Sequence, residues 1–310
     1  MADSANRAVD LDSLFHQFTE DKRYLSSVTS STVRSYQKSY RAFTYQIGCC
    51  CSITLDPKFL RVVASRLAQA HTPGSYNSYA RSINSFLSWL FELGHTSDHL
   101  KLPKIKQQRE PLATYTEQQM NALIRTKPQT MTERRVHLAI CLMADTGLRV
   151  SEALGLRWSD IDLDNLIVRV KGKGQKVRIV PISLPMRALL FRAYQSHPQR
   201  KTQPGPRIAQ ETASQERHIF SVRCGSPIGY HNLKRDFLRW LGRCGVPKSF
   251  GSFHALRRFC ARRFLKNGGS IRYLQILLGH ASITTTTIYL DHDTEGLSTE
   301  VRRVGSVLDR

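Results

Sequence analysis

Long apolar runs are missing from this 310-residue sequence. A membrane-spanning helix needs roughly 20 consecutive apolar residues, and the longest such stretch here, at 138–144, is far shorter. The first thirty residues carry five acidic side chains and no apolar block, so we expect no secretory signal. The sequence therefore predicts a cytoplasmic protein without a membrane partner.

Patterns that bind metals or nucleotides are also lacking. The seven cysteines include no C-x-x-C pair and no Cys/His cluster at zinc-finger spacing. No G-x-x-x-x-G-K-[ST] loop for ATP phosphates occurs either. We therefore expect packed or surface thiols, no metal site and no cofactor.

Positive charge is what the sequence has in excess. It carries 46 Lys and Arg against 24 Asp and Glu, a formal net charge of +22. Residues 1–108 hold 13 basic and 8 acidic side chains, whereas residues 109–310 hold 33 and 16. Such a strong positive field is typical of proteins that bind nucleic acid. Because the excess lies in segments predicted to be structured, a broad binding surface is favoured over a merely soluble basic protein.

Residues 10–94 are predicted to form a run of amphipathic helices. Apolar side chains recur at three- and four-residue steps over 31–45, and further helices are predicted after Pro57 and Pro73. Basic side chains on their polar faces could contact phosphates or remain solvated charges; they are Arg34, Lys38, Arg41 and Arg81.

A linker at 100–111 divides the chain, since it holds two prolines and little apolar content. The predicted domains are 1–108, helical, and 112–310, mixed. In the second, β-branched runs at 166–170 and 177–180 predict a β-hairpin, and 197–216 predicts a mobile loop. Helices are predicted at 117–125, 133–144, 230–244, 254–267 and 271–278. The predicted class is mostly α with a small sheet or hairpin in the C-terminal domain.

Five short segments of the second region carry unusual chemistry. Each alone has an ordinary interpretation: a surface charge, a turn lysine, a helix cap or a packed aromatic. Lys173 is chosen for its glycine neighbours, although Lys171 and Lys176 compete with it. In order, the segments are Thr-Gly-Leu-Arg149-x-Ser-Glu152, Lys173 between two glycines, His254-Ala-Leu-Arg257, Leu-Leu-Gly-His280, and Thr284–Thr287 followed by Ile288 and Tyr289, the tyrosine nine residues after His280.

In this order and at these gaps, the segments resemble the catalytic domain of the tyrosine recombinases, the phage-integrase-type site-specific recombinases. The resemblance runs from about residue 116 to residue 289 and extends more loosely over the helical region. It implies a helical core-binding (SAM-like) domain followed by a mixed α+β catalytic domain, in the compact Xer-like architecture. Arg258 departs from the pattern, since many relatives have a second histidine there.

The resemblance also implies roles for the reacting residues. Tyr289 would attack a DNA phosphorus and leave a 3′-phosphotyrosyl bond. Arg149 and Arg257 would hold the nonbridging oxygens, and His254 and His280 would assist. Lys173 would protonate the leaving 5′-oxygen, while Glu152 would support the site. These roles suit the chemistry, because guanidinium forks match phosphate oxygens and preorganised cations stabilise the charge of the transition state.

The implied partner is double-stranded DNA with specific recombination sites, bound by a dimer per site and a tetramer in the synapse. Val301, Val304 and Leu308 share one face of a predicted helix at 298–308, which could dock on a neighbour or fold back. Lys234 and Arg235 are further candidates for DNA contact. Two alternatives stay open: a type IB topoisomerase-like enzyme, and a DNA-binding architectural protein without catalysis. The sequence does not identify an accessory protein.

Overall fold

The structure is a computed structural model that describes residues 10–48, 55–107, 114–172, 177–196, 217–222 and 226–289. The chain forms two compact units, Met1–Pro111 and Leu112–Arg310. The described residues do not include Lys173, the predicted 197–216 loop, the predicted 298–308 helix or the boundary at 108–112. None of the helices in the described ranges combines the length and apolar character that crossing a bilayer requires.

The first unit contains four described helices, each begun by a side chain that caps its free N–H groups. Asp10, Thr29, Asp56 and Thr72 are the caps. Aromatic side chains fill the core between the helices, as the spacing of apolar residues predicts. The helices are α1 (Leu11–Tyr24), α2 (Ser30–Ile47), α3 (Pro57–Ala70) and α4 (Pro73–Glu92).

Residues 100–105, which follow α4, are anchored at some positions and exposed at others. Leu100 and Leu102 are buried, and Asn84 pairs with the backbone N–H and carbonyl of Leu102 at 2.7 and 3.0 Å. Asn77 pairs in the same way with Ile105. Two isolated leucines and the asparagines of α4 therefore hold residues 100–105 in the first unit, while Lys101, Pro103 and Lys104 between and beside them are exposed.

The second unit combines helices with a small antiparallel sheet, so the predicted fold class is confirmed. The sheet has the order β1-β2-β3, and Lys171 pairs with Val177 where β2 and β3 form the predicted hairpin. The described helices are α5 (Glu117–Arg125), α6 (Met131–Thr146), α7 (Val150–Gly155), α8 (Leu184–Gln195), α9 (Tyr230–Arg243), α10 (Phe253–Lys266) and α11 (Ile271–Leu278). The strands are β1 (Ile161–Asp162), β2 (Ile167–Lys171) and β3 (Val177–Pro181).

Helix α6 runs through the core of the second unit. Nine of its sixteen residues are buried, and α5, α8, α9 and α10 pack around it. The helix ends at Gly147, whose φ of +66° is a left-handed conformation that glycine adopts without strain. After this turn the chain continues to Arg149 and the start of α7.

Candidate active site

Arg149 is placed by the turn between α6 and α7. It precedes the first residue of α7, and its backbone N–H donates to Glu152 Oε2 at 2.8 Å. The guanidinium of Arg149 donates to the other carboxylate oxygen, also at 2.8 Å. The side chain of Arg149 remains 37% exposed. Glu152 therefore holds both ends of Arg149 while leaving its guanidinium accessible to a ligand.

Arg178 of β3 shares Glu152, a contact that the sequence analysis missed. Its two terminal nitrogens each donate to one oxygen of Glu152, both at 2.9 Å. Burial raises the pKa of Glu152, but the bonds from Arg178 and from Arg149 outweigh it and lower that pKa to about 2. A signal was available, because Arg178 shares the inward face of β3 with the buried Val180.

Arg257 is buried beneath the same site, with 4% of its surface exposed. One terminal nitrogen donates to the carbonyl of Gly147 at 2.6 Å. The other donates to the carbonyl of Leu278 at 2.7 Å and to Nε2 of His280 at 2.8 Å. Burial and the nearby Arg149 lower the pKa of Arg257 to about 10, so the side chain is charged at neutral pH. These contacts bring α6, α10 and α11 together at one cation.

His280 follows the left-handed turn that ends α11. Its Nδ1 lies 2.9 Å from the hydroxyl oxygen of Thr286, and its carbonyl accepts from the amide of Gln275 at 3.0 Å. Desolvation, followed by the guanidinium charges of Arg257 and Arg149, lowers the pKa of His280 to about 4. The imidazole is therefore neutral at physiological pH.

Tyr289 is the last residue of the short helical turn Thr287–Tyr289. Its ring lies nearly parallel to that of His280, with centroids 6.2 Å apart and planes at 17°. The tyrosine packs against Ala261, Leu274 and Leu278. It also lies within electrostatic range of Arg257 and Arg258. The ring of Tyr289 therefore lies beside His280, whose Nε2 binds the buried guanidinium of Arg257.

His254 lies at the start of α10, where its side chain is exposed. Partial desolvation, followed by the charges of Arg257, Arg258 and Arg149, lowers its pKa. Arg258, which stands where many relatives have histidine, interacts electrostatically with Tyr289 and Tyr115. The structure thus brings His254 to the same cationic region as the two arginines.

Five of the six predicted reacting side chains therefore lie in one region of the second unit: Arg149, His254, Arg257, His280 and Tyr289. The sixth, Lys173, lies outside the described residues, although the strands on either side of it are placed. The competing Lys171 is exposed at the end of β2, whereas Lys176 also lies outside the described residues.

The predicted DNA-contacting residues differ in solvent exposure and in their contacts within the protein. The four on the first unit, Arg34, Lys38, Arg41 and Arg81, are exposed. On α9, Arg235 is exposed beside Asp236 at 3.7 Å. Lys234 is half-buried with its ammonium group 5.9 Å from the centre of the Phe253 ring, so part of its side chain is engaged within the unit.

This arrangement suits attack on a phosphodiester. The accessible guanidinium of Arg149 and the buried guanidinium of Arg257 form a fixed cationic region. The phenol of Tyr289 lies at its edge. Preorganised cations of this kind stabilise the extra negative charge of a pentacovalent transition state without reorganising during the reaction.

Comparisons with known proteins agree on a single family. The phage integrase family matches residues 113–295. Tyrosine recombinase XerC of Chlamydia caviae is 33% identical over 148 residues, which cover 48% of this chain and 44% of that protein. XerC of Xylella fastidiosa is 31% identical over 218 residues, covering 69% of this chain and 68% of that protein. The chain thus spans less than half the length of the first relative and about two thirds of the second.

The fold has a close counterpart among solved structures. The Tn1549 transposon integrase, in complex with a circular intermediate DNA, aligns with a TM-score of 0.74 at 18% identity. The alignment covers 94% of this chain and 99% of that one. At this identity the similarity shows a shared fold.

Proposed function

The chain belongs to the phage integrase family, and on this premise we propose that it is a site-specific DNA recombinase acting through a 3′-phosphotyrosyl intermediate. The observation that carries the proposal is that the ring of Tyr289 lies nearly parallel to that of His280, whose Nε2 accepts from the buried guanidinium of Arg257, while Glu152 holds Arg149. A nucleophile and two fixed cations are what a phosphodiester requires.

In the first step, the phenolic oxygen of Tyr289 forms a bond to phosphorus and the bond from phosphorus to the 5′-oxygen breaks. Arg149 and Arg257 bind the nonbridging oxygens, on which negative charge increases. A phenol with a reference pKa near 10 must lose its proton during attack. His254, whose pKa is lowered and whose side chain is exposed, accepts that proton or donates a hydrogen bond to a phosphate oxygen.

The leaving 5′-oxygen must gain a proton, and Lys173 is the proposed donor. It is chosen for the glycines on either side of it in the sequence, and the strands that flank this segment end at Lys171 and begin at Val177. Nearby cations lower the pKa of a lysine, which makes it a better acid. The reverse reaction, with the 5′-hydroxyl of another strand, rejoins the DNA. No ATP is required, because the phosphotyrosyl bond retains the energy of the phosphodiester.

The proposed partner is double-stranded DNA carrying specific sites. The positive charge of the chain supports it, and so does the Tn1549 integrase, which was solved with circular intermediate DNA. Arg34, Lys38, Arg41 and Arg81 would contact phosphates from the helical unit, and Lys234 and Arg235 from α9. A dimer on each site and a tetramer in the synapse, with the 298–308 helix docked on a neighbour, complete the proposal.

A plasmid assay separates this function from the two alternatives. The protein first selects its target from a random pool of duplexes, and the enriched sequence is placed once or twice in a supercoiled plasmid. A recombinase exchanges strands between two sites and yields deletion or inversion products. Relaxation of both plasmids without exchange indicates a topoisomerase, and two unchanged plasmids indicate a binding protein. Either result would overturn the proposal. Tyr289→Phe serves as the inactive control.

A further inference from the structure

Thr286 touches both the histidine and the tyrosine of the site. Its side chain is fully buried, at 0% exposure. Its hydroxyl oxygen lies 2.9 Å from Nδ1 of His280, and its carbonyl accepts the backbone N–H of Tyr289 at 3.1 Å. Neither the motifs nor the roles proposed above assign this residue a function.

Burial distinguishes Thr286 from the threonines beside it. Thr284, Thr285 and Thr287 are all exposed, and the hydroxyl of Thr287 donates to the carbonyl of Thr284 at 3.0 Å. The run of four threonines looks uniform in the sequence. Only Thr286 among them has its hydroxyl directed to His280 in the described structure.

The partners of His280 determine where its proton lies. A guanidinium has only donors, so Nε2 of His280 must accept the bond from Arg257. The neutral ring then carries its proton on Nδ1, and that N–H donates to the hydroxyl oxygen of Thr286. In the other tautomer, an Nε2–H would face the guanidinium donor. Arg257 therefore sets the tautomer, and the hydroxyl of Thr286 supplies the acceptor that the resulting Nδ1–H needs in a buried position.

We propose that Thr286 is a positioning residue that holds His280 through its Nδ1–H, so that Nε2 keeps the guanidinium of Arg257 oriented toward the phosphate. The proposal rests on the function proposed above. Removal of a direct oxyanion donor costs about 10²–10³ in rate, whereas outer partners of site residues cost roughly 10–100-fold. Loss of this hydroxyl should therefore slow strand cleavage by about tenfold.

The tautomer can be observed directly in the full-length protein. Labelling histidine with ¹⁵N and recording a long-range ¹H–¹⁵N spectrum distinguishes a protonated ring nitrogen from an unprotonated one. His280→Gln identifies the signals by their loss. At neutral pH we expect wild-type His280 to carry its proton on Nδ1 alone. A proton on Nε2 would overturn the proposal without any variant of Thr286.

Three variants then test the hydroxyl. Thr286→Val keeps the shape of the side chain but removes the acceptor of the Nδ1–H, so we expect the Nδ1–H proton signal of His280 to shift upfield and cleavage to slow about tenfold. Thr286→Ser restores the hydroxyl and should restore both readings. Thr287→Val removes an exposed hydroxyl in the same turn and should change neither. An unchanged Nδ1–H signal in Thr286→Val, or an equal loss in Thr286→Ser, would contradict the role of the hydroxyl.

Two measurements, covalent adduct formation and the histidine spectrum, distinguish failure of this proposal from failure of the proposed function. Covalent adduct formation by the wild type reports whether the protein cleaves DNA at all. The spectrum reports the state of His280 whether or not cleavage occurs. An absent adduct beside an Nδ1–H signal would refute the recombinase, whereas an adduct beside an Nε2–H signal would refute only the role of Thr286.

Discussion

Arg178 and Glu152 form a two-pronged ion pair, in which each terminal nitrogen of the arginine donates to one carboxylate oxygen at 2.9 Å. The Nε of Arg178 also donates to the carbonyl of Leu277 at 3.2 Å. Because Glu152 holds Arg149 as well, this pair connects β3 and the end of α11 to the accessible arginine of the site.

Removal of the Arg178 guanidinium should loosen Arg149 and destabilise the second unit. We expect Arg178→Met to lower the free energy of unfolding by about 2–3 kcal/mol, since hydrogen bonds to a buried charge disappear while Arg149 still pairs with Glu152. Arg178→Lys keeps the charge without the fork and should destabilise the unit less. Urea unfolding measures both effects. Arg192→Met, an exposed change on α8, should stay within about 0.5 kcal/mol of the wild type.

The lowered pKa of Glu152 predicts an acid-sensitive contribution to stability. A folded pKa of about 2 against 4.5 in the unfolded chain corresponds to about 3 kcal/mol. This contribution is fully present above pH 4.5 and is lost as the pH falls toward 2, because the unfolded state binds the proton first. The difference in unfolding free energy between the wild type and Glu152→Gln should therefore shrink across that range. A difference that is independent of pH would contradict the lowered pKa.

His280 should add a second dependence on pH at higher values. Its folded pKa of about 4 lies below the 6.5 of the unfolded chain, so protons bind preferentially to the unfolded state between these values. Stability is retained above pH 6.5 and falls by up to about 3 kcal/mol as the pH drops toward 4. His280→Gln should remove this part of the slope in urea unfolding measured from pH 7 to pH 4. An equal slope in the variant would show that His280 is not the group responsible.

Gly147 should tolerate no side chain. Its φ is +66°, and a Cβ there would lie 2.7 Å from Cδ2 of Leu278. Gly147→Ala should cost about 2–4 kcal/mol from strain and overpacking, and it should slow DNA cleavage because the Gly147 carbonyl holds Arg257. Gly155→Ala is the matched control, since a Cβ there meets nothing within 4 Å. Thermal unfolding should give Gly147→Ala a melting temperature far below that of the wild type, and Gly155→Ala one close to it. Equal melting temperatures for the two variants would contradict the strain at Gly147.

Basic residues on α2 should contribute to the salt dependence of DNA binding. Arg34, Lys38 and Arg41 are exposed at helical spacing on one face. Alanine at any of them should weaken binding to all sequences, and the slope of log K against log salt should fall by about 0.9 for each phosphate that is no longer neutralised. Lys58→Ala changes an exposed lysine of α3 and should leave the slope as it is. Equal slopes for all four variants would exclude this face of α2 from phosphate binding.

Sequence patterns predict the helices well wherever a capping residue and an apolar face coincide. Helix α5 begins after Thr116, whose capping box with Gln119 is visible in the sequence, and its predicted limits agree with the structure. Helix α8 is absent from the predicted helices, although Ser183 caps it. Its large apolar side chains are not confined to one face, since Leu184 and Phe191 are exposed, and the helical period is therefore weak.

The motifs of the candidate site could be found from their order and spacing, whereas their supporting contacts could not. Arg178 lies in a β-branched run, and its partner Glu152 becomes apparent only when the hairpin packs against α7. Thr286 cannot be told from its neighbours until the chain folds and buries it. These contacts join residues far apart in sequence, so local pattern carries little information about them.

The identity of the nucleophile decides whether the proposed chemistry is right. A duplex carrying the selected target is nicked so that the short 5′-hydroxyl strand diffuses away after cleavage and the covalent complex accumulates. We predict a protein–DNA adduct whose digested peptide maps to Tyr289, and no adduct from Tyr289→Phe, which should still bind the duplex with about the wild-type affinity. An adduct formed by the Phe variant, or one mapped to another residue, would contradict the proposed chemistry.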